Sequence, residues 1–483
     1  MRRSVRSALA LTLAVAATEL SVMPVNAAAP RTTYFACRAS GILSSISVLP
    51  HNCAAGFAKV SGKFAGTDFR GANFQGANLT NATLKGAVVA YSSSGHIVGQ
   101  PASLPSGWRV SGGYLLGPTA HLAGADLHNL NLTGANLGTT DLTGANLSGA
   151  NLARVNLNHA VLTNATLTHV SSGAVGGTPA ALPSGWALTS GFLLGATANL
   201  SGADLSGLDF TNADLSSADL SDSTLTGATV TGANFATATL SGVTSGALVG
   251  QPASLPAGWV LAKSYLVGAG AVLSGADLSG ADLTSANLAG TNFFGADLTN
   301  ADLSNTNMSE ASLSMATVTG TKFAGANFHG LITSYEVGTP ASLPTGWQAL
   351  SGPYQGGYVQ YFVGASASIG GAQLSGVVFA GMDLSGVYIP GGHLVGTDFS
   401  GATVVQGNLA SANLGQANFS GANMSGTNFT SADLSGANFT GANFTGANFT
   451  GARLLSVSGR GSATFTGATC PDGVVYGQLG ANC

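Results

Sequence analysis

Charge is what this sequence has least of. Asp, Glu, Lys and Arg make up only 7% of its 483 residues, where soluble domains carry about a quarter. That scarcity excludes a basic patch for nucleic acid, and the formal charge is −4. Apolar runs are also short. The longest stretch, "SALALTLAVAA", lies near the start, and Glu19 interrupts its extension, so no segment reads as a membrane span. Histidine is sparse: His121, His128, His159 and His169 share one region but have no nucleophile or carboxylate motif beside them. No catalytic constellation and no cofactor or metal motif is present, so the chain does not read as an enzyme.

What is abundant is Gly, at 70 residues, together with Ala, Asn, Ser and Thr around regularly spaced Leu and Phe. The stretch "SGANFTGANFTGANFTGA", Ser435 to Ala452, repeats every five residues. A helix would rotate successive Phe by roughly 140° and scatter them. A straight strand would flip Phe439, Phe444 and Phe449 between its faces. A bend in every repeat resolves both conflicts. Ala437 and Phe439 then point inward, Asn438 outward, and Thr440 with Gly441 turn the corner. Such a chain winds into stacked coils. Columns of like residues at a spacing of twenty, such as Phe379, Phe399, Phe419 and Phe439, predict four sides per coil. In this reading Phe419→Ala should be costly, and the outward Asn418→Ser should change stability by under about 0.5 kcal/mol.

The segments "SGADLSGADLTSANLAG" from Ser274 and "TGANLSGANLARVNL" from Thr143 match the pattern A(D/N)LXX. The chain resembles the pentapeptide-repeat family over most of Phe64 to Phe465. The resemblance implies an all-β fold, a right-handed quadrilateral β-helix, and says almost nothing about activity. Cytoplasmic relatives that protect DNA gyrase are understood to mimic DNA. Here only Asp204, Asp209, Asp214 and Asp219 ring one coil, and Asp277/Asp297 and Asp282/Asp302 stack in columns.

The start of the chain reads as a signal peptide over 1–27, with basic "MRRSVR", the apolar run and a small-residue site at "VNA". Its removal deletes Arg2, Arg3, Arg6 and Glu19 and takes the formal charge from −4 to −6. A secreted or cell-surface location follows. The four cysteines fit it. Of three connectivities, pairing within each end is chosen: Cys37 with Cys53, and Cys470 with Cys483. Such loops would cover the open ends of a solenoid, each stabilising by roughly 3 kcal/mol in the chain-entropy model. The expected organisation is therefore an N-terminal cap at 28–61, a solenoid over 62–469 and a C-terminal Cys loop at 470–483.

Four insertions interrupt the solenoid near 92–119, 172–197, 245–270 and 333–366. They share the text "GQPASLPSGWRVSGGYLLG" in variant forms, and each is expected to be a β-hairpin standing off the wall. Trp108, Trp186, Trp259 and Trp347 are the possible interaction residues. They either pin the hairpins or offer platforms to a ligand. Counting five-residue steps predicts that Trp108, Trp186 and Trp259 cannot all share one side. The functional expectation is an exported, noncatalytic scaffold with an unknown extracellular or cell-wall partner. A glycan- or ice-binding surface and a DNA-mimic inhibitor are the alternatives. The Asn-X-Ser/Thr triplets, such as Asn438-Phe439-Thr440, are read as a by-product of the repeat.

Overall fold

A computed structural model describes residues 64–354 and 357–477, and the backbone alone of two strands before them, β1 (Phe35–Ala39) and β2 (Ile42–Ser47), which pair antiparallel. The signal segment, Cys53 and Cys483 lie outside the described residues, as does the side chain of Cys37. The chain forms two compact units. One holds the residues up to Leu200 with Ala213–Ala218, and the other Ser201–Asn212 with Asp219 onward. Apart from one short 3-10 turn at Arg460–Ser462, the described residues contain strands, bridges and turns.

Both units are built from the same twenty-residue coil. Asn418 bridges Asn438 in the second unit, and Asp126 bridges Asn146 in the first, each pair parallel. The residues 417–422 show why the repeat folds this way. Ala417 and Phe419 are buried completely, while Asn418 points out and is half-buried. The Phe419 N–H donates to the Asn438 carbonyl one coil on (2.8 Å), and the Asn418 N–H to the Thr397 carbonyl one coil back (2.9 Å). Ala422 N–H closes the corner on the Phe419 carbonyl (3.0 Å). The corner needs one left-handed residue, and Gly421 takes φ 64° there without a Cβ clash. Aromatic rings stack between coils: Phe399 lies 5.2 Å from Phe419 with planes 6° apart, and Phe429 5.0 Å from Phe449.

The outward Asn does more than face water. Asn418 Oδ1 accepts the Ser420 N–H (3.1 Å) and the Asn438 Nδ2 (2.9 Å), while its own Nδ2 donates to Asp398 Oδ1 (2.9 Å). This corrects the expectation for Asn418→Ser. Ser reaches neither ladder neighbour, so the cost rises to about 1–2 kcal/mol.

Four hairpins enter the coils. The labels β3 (Asn73–Gln75) and β4 (Ser93–Gly95) denote a coil side. The hairpins are β5 (Arg109–Ser111) with β6 (Tyr114–Leu116), β7 (Ala187–Thr189) with β8 (Phe192–Leu194), β9 (Val260–Ala262) with β10 (Tyr265–Val267), and β11 (Gln348–Tyr354) with β12 (Gly357–Val363). All four pair antiparallel. In the first three, both turn residues have positive φ: Gly112 and Gly113, Ser190 and Gly191, Lys263 and Ser264. Two such residues match the right-handed twist of the flanking strands.

The hairpins do not stand off the wall. Leu115 packs into the core that contains Phe64 to Ile97, while the next residue, Leu116, packs into the core of Ala120 to Leu193. In the second unit Phe362 joins the core of Val267 to Leu331, and Tyr361 and Val363 join the core from Ala367 onward. Successive side chains of a strand point to opposite faces, so each of these strands lies as a layer between two coils. On one side the coils still pair directly across it, as Ser93 with His121 and Ile332 with Ser368.

Phe419→Ala should cost about 3–5 kcal/mol, because the ring is fully enclosed and its neighbours cannot collapse into the space. Denaturant unfolding of Phe419→Ala and Asn418→Ser should place the two in that order, both below wild type. An Asn418→Ser variant as stable as wild type would remove the amide ladder as a stabilising element.

Candidate functional site

The hairpin coils are where the surface departs from the repeat. In the first, the five-residue register runs Val89, Ser94, Gly99 (here exposed), Leu104 and then, after eight extra residues, Gly117. The pattern Ala120 N–H to Gly117 carbonyl is the same corner bond that Ala125 makes to Leu122. Gly117 therefore holds the place of an inward Leu or Phe. The Trp108 ring fills that place. A Cβ on Gly117 would fall inside 3.0 Å of the indole, and the same is true of Gly195 with Trp186, Gly268 with Trp259 and Gly364 with Trp347. All four Trp are half-buried and pack on the core. Trp347 also meets Phe328 edge-on at 5.1 Å.

Inward hydroxyls hold the other end of each hairpin. Ser94 Oγ accepts the Leu115 N–H (2.8 Å), Ser172 Oγ the Leu193 N–H (2.9 Å) and Ser245 Oγ the Leu266 N–H (2.9 Å). Thr333 Oγ1 does the same for Phe362 (3.2 Å). These hydroxyls occupy core positions five residues after Val89, Leu167, Leu240 and Phe328. Sequence reasoning missed them, although a Ser in a Leu column was the available signal. In the first hairpin, Arg109 donates to the Thr133 and Asn131 carbonyls, and Tyr114 Oη accepts the Asp126 N–H. These side chains satisfy backbone groups that the interrupted ladder leaves open.

The tryptophans do not form one row. Ser93, His121, Asp141, Val161 and Ala181 share a side. Trp108 follows Ser93 by three five-residue steps and Trp186 follows Ala181 by one, so within the first unit they face opposite ways. In the second unit Thr244, Val272, Asn292, Ser312 and Ile332 share a side. Trp259 and Trp347 each follow that side by three steps and face the same way.

The aspartates and histidines occupy the outward ladder. His128 Nδ1 lies 2.7 Å from Asp126, and His121 pairs with Asp141 one coil on (3.8 Å). Asp302 is held down to about 2 by the Ser304 hydroxyl and by Lys322 at 3.0 Å. Among the described residues no group of three His, Cys, Asp or Glu is placed to hold a metal ion. At the far end Cys470 is buried, and the chain folds back so that Tyr476 covers Phe465 at 5.5 Å.

The model of pentapeptide repeats matches residues 62–88, 120–158, 140–171, 198–236, 269–300, 291–330, 407–446 and 417–455. The chain is a pentapeptide-repeat protein. The matched segments leave all four hairpins outside. Among solved structures, HetL, a pentapeptide repeat protein involved in heterocyst differentiation regulation in the cyanobacterium Nostoc, is 20% identical. That match covers 74% of this chain and 91% of HetL at a TM-score of 0.16. Rfr23 from the cyanobacterium Cyanothece is 28% identical over 18% of this chain and 63% of its own, also at 0.16. A thylakoid-lumen pentapeptide repeat protein of Arabidopsis thaliana is 30% identical over 20% and 61%, at 0.10. At these TM-scores the likenesses carry no functional argument. No curated protein matches the chain.

The close fit of glycine and indole makes a prediction. Gly195→Ala should displace the Trp186 ring and loosen residues 187–194 as much as Trp186→Ala does, by about 2–3 kcal/mol locally. Amide hydrogen exchange should show lost protection in that hairpin with the coils of 122–167 unchanged. Protection retained in Gly195→Ala would mean that the indole does not hold the hairpin.

Proposed function

We propose that this pentapeptide-repeat protein is an exported, noncatalytic scaffold that engages a partner through its hairpin coils. The observation that carries this is an exposed Val repeated at one outward position in three of the hairpin coils. The coils present mainly Asn, Asp, Ser and Thr, with scattered exposed apolar residues such as Phe294, Met315, Val378 and Tyr388. Tyr91 and Val98 are exposed in the first hairpin coil, Val249 and Val260 in the third, and Ile332 and Val337 in the fourth. Val98, Val249 and Val337 stand at the same outward position, one residue before Gly99, Gly250 and Gly338. Apolar groups displayed at matching points of rigid coils suit contact with another macromolecule.

Export and the two terminal disulfides belong to the same proposal. Support for export comes from the leader-like segment 1–27 and the paired spacing of the cysteines. Support for the disulfides is the grouping of the four cysteines as two local pairs, Cys37 with Cys53 and Cys470 with Cys483. Support for a noncatalytic role is the sequence itself, whose scattered histidines carry no nucleophile or carboxylate motif beside them. The low charge gives a duplex-mimicking surface little to work with.

The hairpins can be removed cleanly. Excising 109–116, 187–194, 260–267 and 348–363 brings Gly117, Gly195, Gly268 and Gly364 to five residues after Leu104, Leu182, Leu255 and Leu343, and replacing each of these Gly by Leu and the Trp before each excision by Asn restores the Asn-Leu pair of the repeat. Chain beginning at Ala28 and its hairpin-free form should both fold, as read by β-type circular dichroism. Cell wall, polysaccharides and secreted proteins of the producing cell should then be tested for retention on each. A component held by the intact form and lost from the hairpin-free form is expected. Equal retention by both would place recognition on the coils instead.

A further inference from the structure

Ile97, Val175, Leu248 and Glu336 occupy one equivalent position, the small inward site that follows the first corner of each hairpin coil. Each pairs its backbone with the hairpin: Ile97 N–H donates to Gly113, Val175 to Gly191, Leu248 to Ser264 and Glu336 to Gln360. Three are aliphatic and nearly enclosed. The fourth is a carboxyl group with no exposed surface at all. Glu336 and Gln360 also form an antiparallel bridge, with N–H to carbonyl distances of 3.2 and 3.1 Å in the two directions.

The surroundings of Glu336 are neutral. Oε1 accepts the Ser334 N–H (2.6 Å), but Oε2 is buried without a hydrogen-bond partner. Gln360 donates its amide to Thr339 (3.3 Å), and its Oε1 is likewise buried without a partner. Two enclosed acceptors and no donor leave a place that a proton on the carboxyl would serve. The titratable groups that act here are the phenols of Tyr335, from the same segment, and Tyr361, from β12, with ring centroids 5.9 Å apart. No cation accompanies the carboxyl among the groups that act on it.

We propose that Glu336 is a proton-operated latch for the fourth hairpin: the neutral carboxyl seats β11 and β12 between the coils, and loss of its proton loosens them. A charge at this place would have neither water nor a counter-ion, and opening is the available route to solvate it. Burial raises the carboxyl from 4.5 to about 8. The sign follows from linkage. Below the ordinary carboxyl value the group is neutral whether the hairpin is seated or open, and the latch is fully closed. Between that value and about 8 the open form loses its proton first, so opening becomes roughly tenfold more favourable per pH unit. Above that window the bias is constant. The other three hairpins have an aliphatic residue in this place and should ignore pH.

Two measurements test the latch on the full chain. Glutamate is rare, with only Glu19, Glu310 and Glu336 in the sequence, so side-chain 13C labelling gives a countable set of carboxyl signals. One signal, absent in Glu336→Gln, should titrate far above the others; if all titrate in the ordinary carboxylate range, the proposal fails. Hydrogen exchange should then be compared between wild type and Glu336→Gln at each pH, which removes the intrinsic rate. Peptides from 333–363 should lose about 100-fold protection relative to the variant between pH 5 and 7, with those from 109–116, 187–194 and 260–267 unchanged. Glu336→Leu, which restores the residue type of the other hairpin coils, should abolish the pH dependence. Equal pH profiles in wild type and Glu336→Gln, or parallel loosening of all four hairpins, would overturn the latch.

Discussion

The structure depends on one register: a backbone bond from each inward residue to the coil ahead and from each outward residue to the coil behind. Phe419 to Asn438 and Asn418 to Thr397 are one instance of a pattern found throughout both units. Every coil must return to the same place after twenty residues, or the N–H and C=O groups of two neighbours lose their partners at once. The five-residue repeat, the left-handed corner and the alternation of Ala and Leu or Phe are solutions to that requirement. So are the hairpins. Each leaves and re-enters the wall at one point, and the coils on either side still pair across it on one face.

The side-chain ladder adds a direction to this register. Asn146 donates back to Asp126, Asn156 to Asn136, Asn307 to Asn287 and Asn418 to Asp398. The donor always comes from the later coil. The first member of a column therefore only accepts, and Asp serves there as well as Asn. Asp126 stands in the first coil after a hairpin, and Asp398 stands above Val378, which offers no acceptor. A carboxylate at an interrupted edge also discourages pairing with a second chain. Asp126 and Asp398 thus find a structural role in the ladder.

Much of the fold was legible from residue spacing. Phe379, Phe399, Phe419 and Phe439 announce the twenty-residue coil because large rings must stack on one another, and the positions of the hairpins follow from their Pro, Gly and β-prone runs. The placement of the hairpins between coils was not legible. It rests on Ser94 and Gly117 occupying core positions, and against a background rich in Ser and Gly such residues look like loop. Only the hydrogen bond from the Leu115 N–H to the Ser94 hydroxyl and the indole lying over Gly117 reveal that both face inward. Glu336 was overlooked for a similar reason, since its equivalence to Ile97, Val175 and Leu248 becomes visible once the coils are aligned through their bridges.

Because each hairpin leaves the twenty-residue phase intact, the count of five-residue steps between two hairpins acts as a compass. Trp108 and Trp186 point to opposite sides, whereas Trp259 and Trp347 point the same way. Adding or losing one repeat between hairpins would turn the next one by about a quarter turn and change nothing else in the coil. Slippage in such a repetitive gene would therefore alter bearing before it altered stability, and a lineage could re-aim its recognition elements by integer steps while the core stayed the same.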